Sequence, residues 1–353
     1  MDPVEALRRI AFLLEWSGAS PYRVRAFHTA AGAVRDLPPG PIDAALARRL
    51  PGVGPVTAEV IAQASVGEVP AYLARLEAQT GPAARVGWGL AAAGAGDCHL
   101  HSDWSDGGSP IEEMAEAARA LGHSWAVLTD HSPRLAIAHG LSPERLRRQL
   151  EEVSTVNARL GPGFQLLTGI ECDILQDGSL DQEEDLLARL DVVVASVHSK
   201  LRSEPGPMTA RLVAAARNPH TDVLGHCTGR IITGRGRPQS PFDAEAVFAA
   251  CVEGSTAVEI NCRPERRDPP DDLLLLAAEA GCLFAVDTDA HAPEQLHWQS
   301  TGYARAARAG LGPDRLVTTW PIGRLLSWTA GRTAAEPATA RPGRTPAGRS
   351  TSG

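Results

Sequence analysis

The segment GDCHLHSDWSDGGS, residues 96–109, places two histidines one residue apart and follows them with two aspartates. Side chains two residues apart in a β-strand point to the same face, so a strand here would direct His99 and His101 the same way. Two parallel imidazoles form half of a typical metal site. The alternative is a polar strand end with two solvated histidines, and the rest of the chain decides between them.

Seven short β-rich runs alternate with amphipathic helical segments from residue 97 onwards. The runs are DCHLHS, WAVLTDHS, FQLLTGIECDI, DVVVASVHS, DVLGHCT, AVEINCR and LFAVDTDAH. This alternation indicates parallel strands joined by helices, in a barrel or a doubly wound sheet.

Nearly all of these runs end in a side chain that can bind a metal ion. The candidate ligands are His99, His101, Asp106, His131, Glu171, His198, His226, Asp289 and His291. Active sites of parallel barrels lie at the C-terminal ends of the strands, so these side chains are expected to converge. Mixed imidazole and carboxylate ligands suit Zn, Mn or Fe. The pattern therefore predicts a multinuclear metal site.

Residues 1–80 are predicted to form a separate helical domain. PVEALRRIAFLLEW and PYRVRAFHTAAGAVRDL carry apolar residues at helical spacing, and both begin with proline. Gly52, Val53 and Gly54 precede a further apolar helical run, which predicts a tight hairpin whose amides could hold a nucleic-acid phosphate. The alternative is a turn that only packs two helices.

Composition sets the remaining boundaries. Residues 81–96 are rich in Gly and Ala and are predicted as a linker to a second domain at 97–330, whereas 331–353 lacks a hydrophobic period and is predicted to be disordered.

No apolar run is long enough to cross a membrane, and six cysteines without CxxC pairing favour buried thiols, so we expect a cytoplasmic protein with no membrane partner. The net charge of −8 argues against nonspecific nucleic-acid coating without excluding DNA.

Several motifs resemble those of a known family. DCHLHSDWSDG, LTDHS, GIECDI, ASVHS, LGHCTGR and DTDAH are similar to the successive metal motifs of the PHP (polymerase and histidinol phosphatase) family. GHCTGRIITGR, VEINCRPERRDPPDDLLLLAAEAG and TTWPIGRLLSW resemble the PHP domain of bacterial family X DNA polymerases, and the hairpin region resembles their helix-hairpin-helix domain. The resemblance spans about residues 1–330. It implies an α/β fold, a PHP-type distorted (β/α)7 barrel with a small N-terminal all-α helix-hairpin-helix domain.

The resemblance also implies three divalent metal ions, Mn2+, Zn2+ or Fe2+. Glu171 would bridge two of them; the remaining ligands would divide into His99, His101 and Asp289, then His198 and His226, then Asp106, His131 and His291. Such ions lower the pKa of bound water towards about 7 and hold phosphoryl oxygens. Hydrolysis is expected to depend on Glu171, His198 and Asp289.

Four further residues are candidates for holding a substrate phosphate. Arg230, Lys200 and Arg263 follow strand ends, where a cationic side chain can bind phosphate, and Asn261 ends the one run that lacks a ligand. The alternative for the three cations is solvated surface charge, and for Asn261 a turn cap.

The chain departs from those polymerases in two ways. Their nucleotidyl-transferase palm and thumb have no counterpart here, so polymerase activity is not expected. Schiff-base lyase activity in the helical domain needs an amine nucleophile. The chain contains a single lysine, Lys200, and none in residues 1–80, so this activity is not expected either.

Three functions remain open from the sequence. The favoured one is a metal-dependent phosphoesterase acting on DNA, such as a 3'-5' exonuclease or repair nuclease. The second is a small-molecule phosphatase or phosphodiesterase of the histidinol phosphatase kind. The third is a noncatalytic DNA-binding module that keeps its metals for structure.

Overall fold

The computed structural model describes residues 1–35, 37–38 and 40–333. The predicted disordered tail at 331–353 lies outside the described residues, apart from residues 331–333 at the end of the last helix.

Six strands of the described part of the chain form one parallel sheet in chain order. They are β1 (Trp125–Leu128), β2 (Gln165–Asp173), β3 (Val192–Ser196), β4 (Val223–Leu224), β5 (Ala257–Asn261) and β6 (Phe284–Asp287). Val, Ile, Leu and Ala dominate these strands, and nearly every position in them is buried. Burial on both faces is typical of a parallel sheet covered by helices.

The segment around Leu100 joins the two edges of this sheet. Leu100 forms parallel bridges to Leu128, at the end of β1, and to Ala290, beyond β6. The His101 amide donates to the Ala290 carbonyl at 2.8 Å, and the Thr129 amide donates to the Leu100 carbonyl at 2.9 Å. The predicted PHP-type fold is confirmed, with six regular strands and a bridging segment in the position of the seventh.

Helices surround the sheet and also form the N-terminal region. The N-terminal helices are α1 (Pro3–Trp16), α2 (Pro21–Arg35), α3 (Ala44–Ala47), α4 (Pro55–Ser65) and α5 (Ala71–Ala92). Those of the barrel region are α6 (Ile111–Ala120), α7 (Pro143–Leu160), α8 (Glu184–Leu187), α9 (Pro205–Ala216), α10 (Ala244–Glu253), α11 (Asp271–Ala280), α12 (Gln299–Arg308) and α13 (Ile322–Thr333). Short 3-10 turns occupy Ala136–Ala138, Pro293–Trp298, Pro313–Arg315 and Val317–Thr319. The two helices predicted to start with proline begin at those prolines.

The segment predicted as a linker, 81–96, is mostly helical. Helix α5 changes direction at Gly81, where φ is +74°, and continues to Ala92 with Ala84 and Leu90 buried. Its small residues serve close packing: a Cβ on Gly87 would lie 2.8 Å from Phe12 Cζ and 3.4 Å from the Cβ of Ala307. The glycine and alanine content therefore reflects contact between helices, which a composition-based linker prediction cannot distinguish from flexibility.

The N-terminal helices pack directly on the barrel. Helix α12 contacts α5 and α1, and Ala304 of α12 belongs to the apolar cluster formed by the N-terminal helices. All six cysteines are free and buried. Across the described ranges, no helix combines the length and apolar character that crossing a bilayer requires.

This packing predicts a position-specific sensitivity within α5. Gly87→Val should lower the free energy of unfolding by about 1–3 kcal/mol, because the new side chain overlaps Phe12 and Trp16. At Gly89, two residues along the same helix, an added Cβ would meet no atom of another segment within 4 Å, so Gly89→Val should change stability by less than about 0.5 kcal/mol. Urea unfolding of the two variants compares them, and equal losses would contradict the tight interface at Gly87.

Candidate metal centre

The carboxylate of Glu171 lies at the centre of a ring of histidines. Glu171 is on β2 and 1% exposed. Its Oε2 lies 2.8 Å from His131 Nδ1 and 3.4 Å from His99 Nε2. Its Oε1 lies 2.9 Å from His226 Nε2 and 3.3 Å from His198 Nε2. Side chains from four other segments of the chain thus meet on one carboxylate.

Two aspartates extend the cluster on its outer side. Asp106 Oδ1 lies 3.4 Å from His131 Nε2 and 3.3 Å from His291 Nε2. Asp289 Oδ1 lies 3.4 Å from His101 Nε2, and His101 Nε2 lies 3.7 Å from Glu171 Oε2. The structure therefore brings all nine sequence-predicted residues together.

Parallel strand geometry explains this convergence. Glu171 lies near the C-terminal end of β2, and a parallel bridge pairs it with His131, which follows β1. His198 comes two residues after the end of β3, and His226 two residues after β4. Because strands of a parallel sheet end at the same edge, ligands from successive strands share one mouth.

Three overlapping groups of side chains have the spacing needed to hold a metal ion. They are His101, Asp106, His131 and His291; His99, His101 and Glu171; and His131, Glu171 and His198. The resemblance assigned each histidine to one ion, whereas here His101 and His131 each belong to two groups.

Unpartnered polar atoms show that this donor set fits a metal. Nε2 of His99 and both ring nitrogens of His101 and His198 are buried and make no hydrogen bond with the described residues. Leaving such atoms without a partner costs free energy, because each has lost its contact with water. Divalent ions would satisfy these atoms with the imidazole and carboxylate ligands they prefer.

The electrostatics of the cluster keep its carboxylates ionised. Burial alone would raise the pKa of Glu171, but the surrounding imidazoles, His198 foremost, hold it well below its usual range. Burial would also raise the pKa of Asp289, but His99, together with His101 and the nearby arginines, lowers it well below its usual range. Burial lowers the pKa of His131, yet Glu171 and Asp106 raise it to about 10. Metal binding must displace such protons and should tighten as pH rises.

Glu259 is a functional residue that the sequence reasoning missed. It lies on β5, fully buried, and accepts a hydrogen bond from His99 Nδ1 at 2.6 Å and another from the His226 amide. This contact fixes the tautomer of His99 that leaves Nε2 free for a ligand. The sequence contains one signal for this role: Glu259 is an acidic residue inside an apolar strand. It stands two residues before Asn261 and therefore lies on the same face of β5 as Asn261.

Asp173 supports His198 in a similar way. Its Oδ1 accepts from the His198 amide at 3.0 Å and lies 3.6 Å from His198 Nδ1. Asp173 follows Glu171 by two residues on β2 and so lies on the same face of the strand, but like Glu259 it was not singled out from the sequence.

Two of the four phosphate-binding candidates lie in the cluster. Asn261 donates from Nδ2 to Asp289 at 3.0 Å, and Arg263 Nη1 lies 3.3 Å from Asp289 and 3.2 Å from His291 Nδ1. Arg266, which the sequence reasoning did not select, lies 3.4 Å from Asp289. The loop after β5 therefore supplies two cations to the edge of the site.

The other two candidates are placed differently. Arg230 donates to the backbone carbonyls of Arg266 and Arg267, so its guanidinium secures that loop. Lys200 is exposed, and no contact with the cluster is seen for it in the described part of the chain. In the sequence Arg230 is a cation that follows a strand end. Its hydrogen bonds to a loop 36 or 37 residues away form only in the folded chain, so the sequence could not predict them.

The predicted hairpin is present between Leu50 and helix α4. Gly52 has φ +72°, where a Cβ would lie 2.4 Å from Thr29 Cγ2, so glycine is required there. The Val53 amide donates to the Leu50 carbonyl at 3.2 Å, and the Gly54 amide to Thr57 Oγ1 at 2.9 Å. Two of the amides proposed for phosphate binding thus already have partners within the hairpin.

Comparison with known proteins agrees with this architecture. Residues 97–263 match the PHP domain family, and residues 1–65 match a helix-hairpin-helix domain. A probable phosphatase of Caldicellulosiruptor saccharolyticus is 30% identical over 190 residues, which cover 51% of this chain and 73% of that protein. The chain therefore belongs to the PHP family, a class of metal-dependent phosphoester hydrolases.

Two further relatives differ in how much of their length is shared. The DNA polymerase/3'-5' exonuclease PolX of Bacillus subtilis is 41% identical over 215 residues, 61% of this chain but only 37% of that protein. Histidinol phosphate phosphatase from Lactococcus lactis, solved with zinc, L-histidinol and phosphate, aligns with a TM-score of 0.47 at 19% identity, covering 62% of this chain and 95% of that one.

The support that Glu259 gives to His99 generates a prediction about metal affinity. Glu259→Gln should weaken metal binding about 10–100-fold, because losing such a partner of a metal-binding histidine has this effect. Glu253→Gln, which alters an exposed ion pair with Arg217, is the matched control and should leave affinity unchanged. Metal content after dialysis against buffered free Zn2+ or Mn2+ measures both, and equal retention by the two variants would contradict the assigned role.

Proposed function

We propose that this protein hydrolyses phosphodiester bonds in DNA as a 3'-5' exonuclease or repair nuclease with a trinuclear metal site. The observation that carries the proposal is the joining, in one chain, of the Glu171-centred cluster to a helix-hairpin-helix domain. The relative with the highest identity given above has 3'-5' exonuclease in its name, which supports the same assignment.

The nine clustered residues are the proposed ligands. When bound, the ions would supply an activated water nucleophile and neutralise charge on the phosphoryl oxygens. Glu171 would bridge two of the ions, which is supported by its two oxygens facing imidazoles on different sides. His198 and Asp289 are the other residues on which hydrolysis should depend. Whether the ions are Mn2+, Zn2+ or Fe2+ is set by geometry and availability more than by this ligand list.

Residues of the β5 loop are proposed to position the substrate. Asn261 holds the Asp289 carboxylate, and Arg263 and Arg266 bring two guanidinium groups beside it. A guanidinium fork matches the oxygens of a phosphate, so these two arginines can orient the scissile group at the edge of the cluster.

The helical domain is proposed to hold DNA beyond the cluster. Arg48 and Arg49 are exposed immediately before the hairpin, and Gly52, Val53 and Gly54 form its tip. Because the Val53 and Gly54 amides have internal partners, the exposed arginines are the better candidates for phosphate contacts. Such contacts depend on salt and carry no sequence information.

A small-molecule phosphatase is the second candidate, favoured by relatives named probable phosphatase that align over most of their own length. Assays on labelled single strands, duplexes, abasic DNA and histidinol phosphate separate the two. Nuclease function predicts turnover of at least one DNA substrate, whereas turnover of histidinol phosphate alone would contradict it. The complete donor set disfavours a noncatalytic DNA-binding module.

Removing the bridging carboxylate should abolish activity. Glu171→Ala is expected to lower the hydrolysis rate of a chromogenic phosphodiester more than about a hundredfold, because the metals contribute several kcal/mol to catalysis. Glu253→Ala is the surface control. Circular dichroism checks that the variant is folded, and a folded Glu171→Ala protein with wild-type turnover would show that the cluster is not the active site.

The proposed DNA contact can be separated from the chemistry. Arg48→Glu/Arg49→Glu should raise KM for single-stranded DNA about tenfold or more at low salt and leave turnover of a small phosphodiester unchanged, since both arginines lie outside the cluster. Arg148→Glu/Arg189→Glu, on exposed positions of the barrel region, applies the same charge change as a control. Equal KM values for the two double variants would remove the helical domain from DNA binding.

A further inference from the structure

A cavity of about 490 Å3 lies between the N-terminal helices and the outside of the barrel. Its walls come from α1 and α2 on one side and from α12, the Pro293–Trp298 turn and the loop after β5 on the other. Its lining contains none of the nine clustered residues. Its volume falls in the range of about 300–1,000 Å3 typical of small-molecule sites.

The cavity is lined by an excess of positive charge. Arg25, Arg267 and Arg308 line it against two glutamates, and Arg305, which also lines it, is ion-paired with Asp271. Burial raises the pKa of one of these, Glu15, to about 8, which leaves that carboxyl largely neutral at pH 7. An anion therefore gains favourable charge interactions on entering.

Arg305 lines this wall and has one N–H without a hydrogen-bond partner in the described part of the chain. It is 4% exposed, and its Nε donates to Asp271 at 2.9 Å while Nη2 donates to the Pro269 carbonyl. Its Nη1 is buried without a hydrogen-bond partner among the described residues. A buried guanidinium with an unsatisfied N–H is costly unless a ligand or water accepts from it.

Aromatic rings form another part of the cavity wall. His28 and His297 stack with ring centroids 4.0 Å apart, one from each domain, and both line the cavity. Both ring nitrogens of His28 and Nδ1 of His297 lack hydrogen-bond partners in the described structure. Trp298 presents an indole to the same space. Planar rings in a cavity wall are suited to stacking on a nucleobase.

We propose that this cavity binds a nucleoside monophosphate, separately from the metal centre. The phosphate would lie against the arginines, with the base near Trp298 and the histidine pair. Ligand binding here would also hold the two domains together, since each contributes one histidine to the stack.

Isothermal titration of the full-length protein with dAMP, AMP and inorganic phosphate tests this site. The titrations are made with metals bound and again after chelation, which prevents turnover and removes binding at the metal centre. The expected result is one saturable site that persists after chelation and prefers a nucleotide to phosphate. Arg25→Glu/Arg267→Glu should weaken nucleotide binding at least tenfold, whereas Arg148→Glu/Arg189→Glu should leave it unchanged. Both cavity arginines are exposed, so the fold should tolerate the change.

A second variant tests the aromatic part of the site. Trp298→Leu should weaken dAMP binding at least fivefold and leave phosphate binding unchanged, because stacking involves only the base. Binding that disappears on chelation, that is unaffected by Arg25→Glu/Arg267→Glu, or that is as tight for inorganic phosphate would overturn the proposal. So would an absence of saturable binding at millimolar nucleotide.

Discussion

The structure depends on the burial of one carboxylate. Glu171 is withdrawn from water inside the barrel mouth, where an uncompensated charge would cost several kcal/mol. Imidazoles from four other segments compensate it, and each must be delivered from a different strand end. A parallel sheet that curves towards closure is the architecture that brings those strand ends to a single point. The fold and the site thus impose the same requirement on the chain.

Side chains replace regular strand pairing where the barrel closes. The segment carrying His99 and His101 has one bridging residue, Leu100, and is held in addition by Asp97, which accepts from the His99 amide at 3.0 Å and from the Thr288 hydroxyl at 2.5 Å. Asp287 accepts from the Cys98 amide at 2.9 Å. Buried acidic residues around the histidines therefore orient the ligands as well as closing the sheet.

The nine clustered residues and a parallel α/β architecture were predictable because period-2 alternation and strand-end placement are local signals in the sequence, whereas the PHP-type barrel followed from the family resemblance. Glu259 was missed because its role depends on a contact with His99, 160 residues away. The helical continuation of α5 was missed because glycine and alanine indicate flexibility or close packing equally, and the neighbours of Gly87 decide between them. The partners of Arg230 and of the hairpin amides likewise arise only in the folded chain.

The central claim is that the Glu171-centred cluster is a metal-dependent hydrolytic site. Titrating chelated protein with Mn2+ or Zn2+, while bound metal and phosphodiester hydrolysis are measured on the same samples, tests it most directly. The account predicts no hydrolysis without metal and a rate that rises as the sites fill, saturating near three ions per chain. Full hydrolysis by the chelated protein, or metal uptake with no gain in rate on any phosphoester, would contradict it.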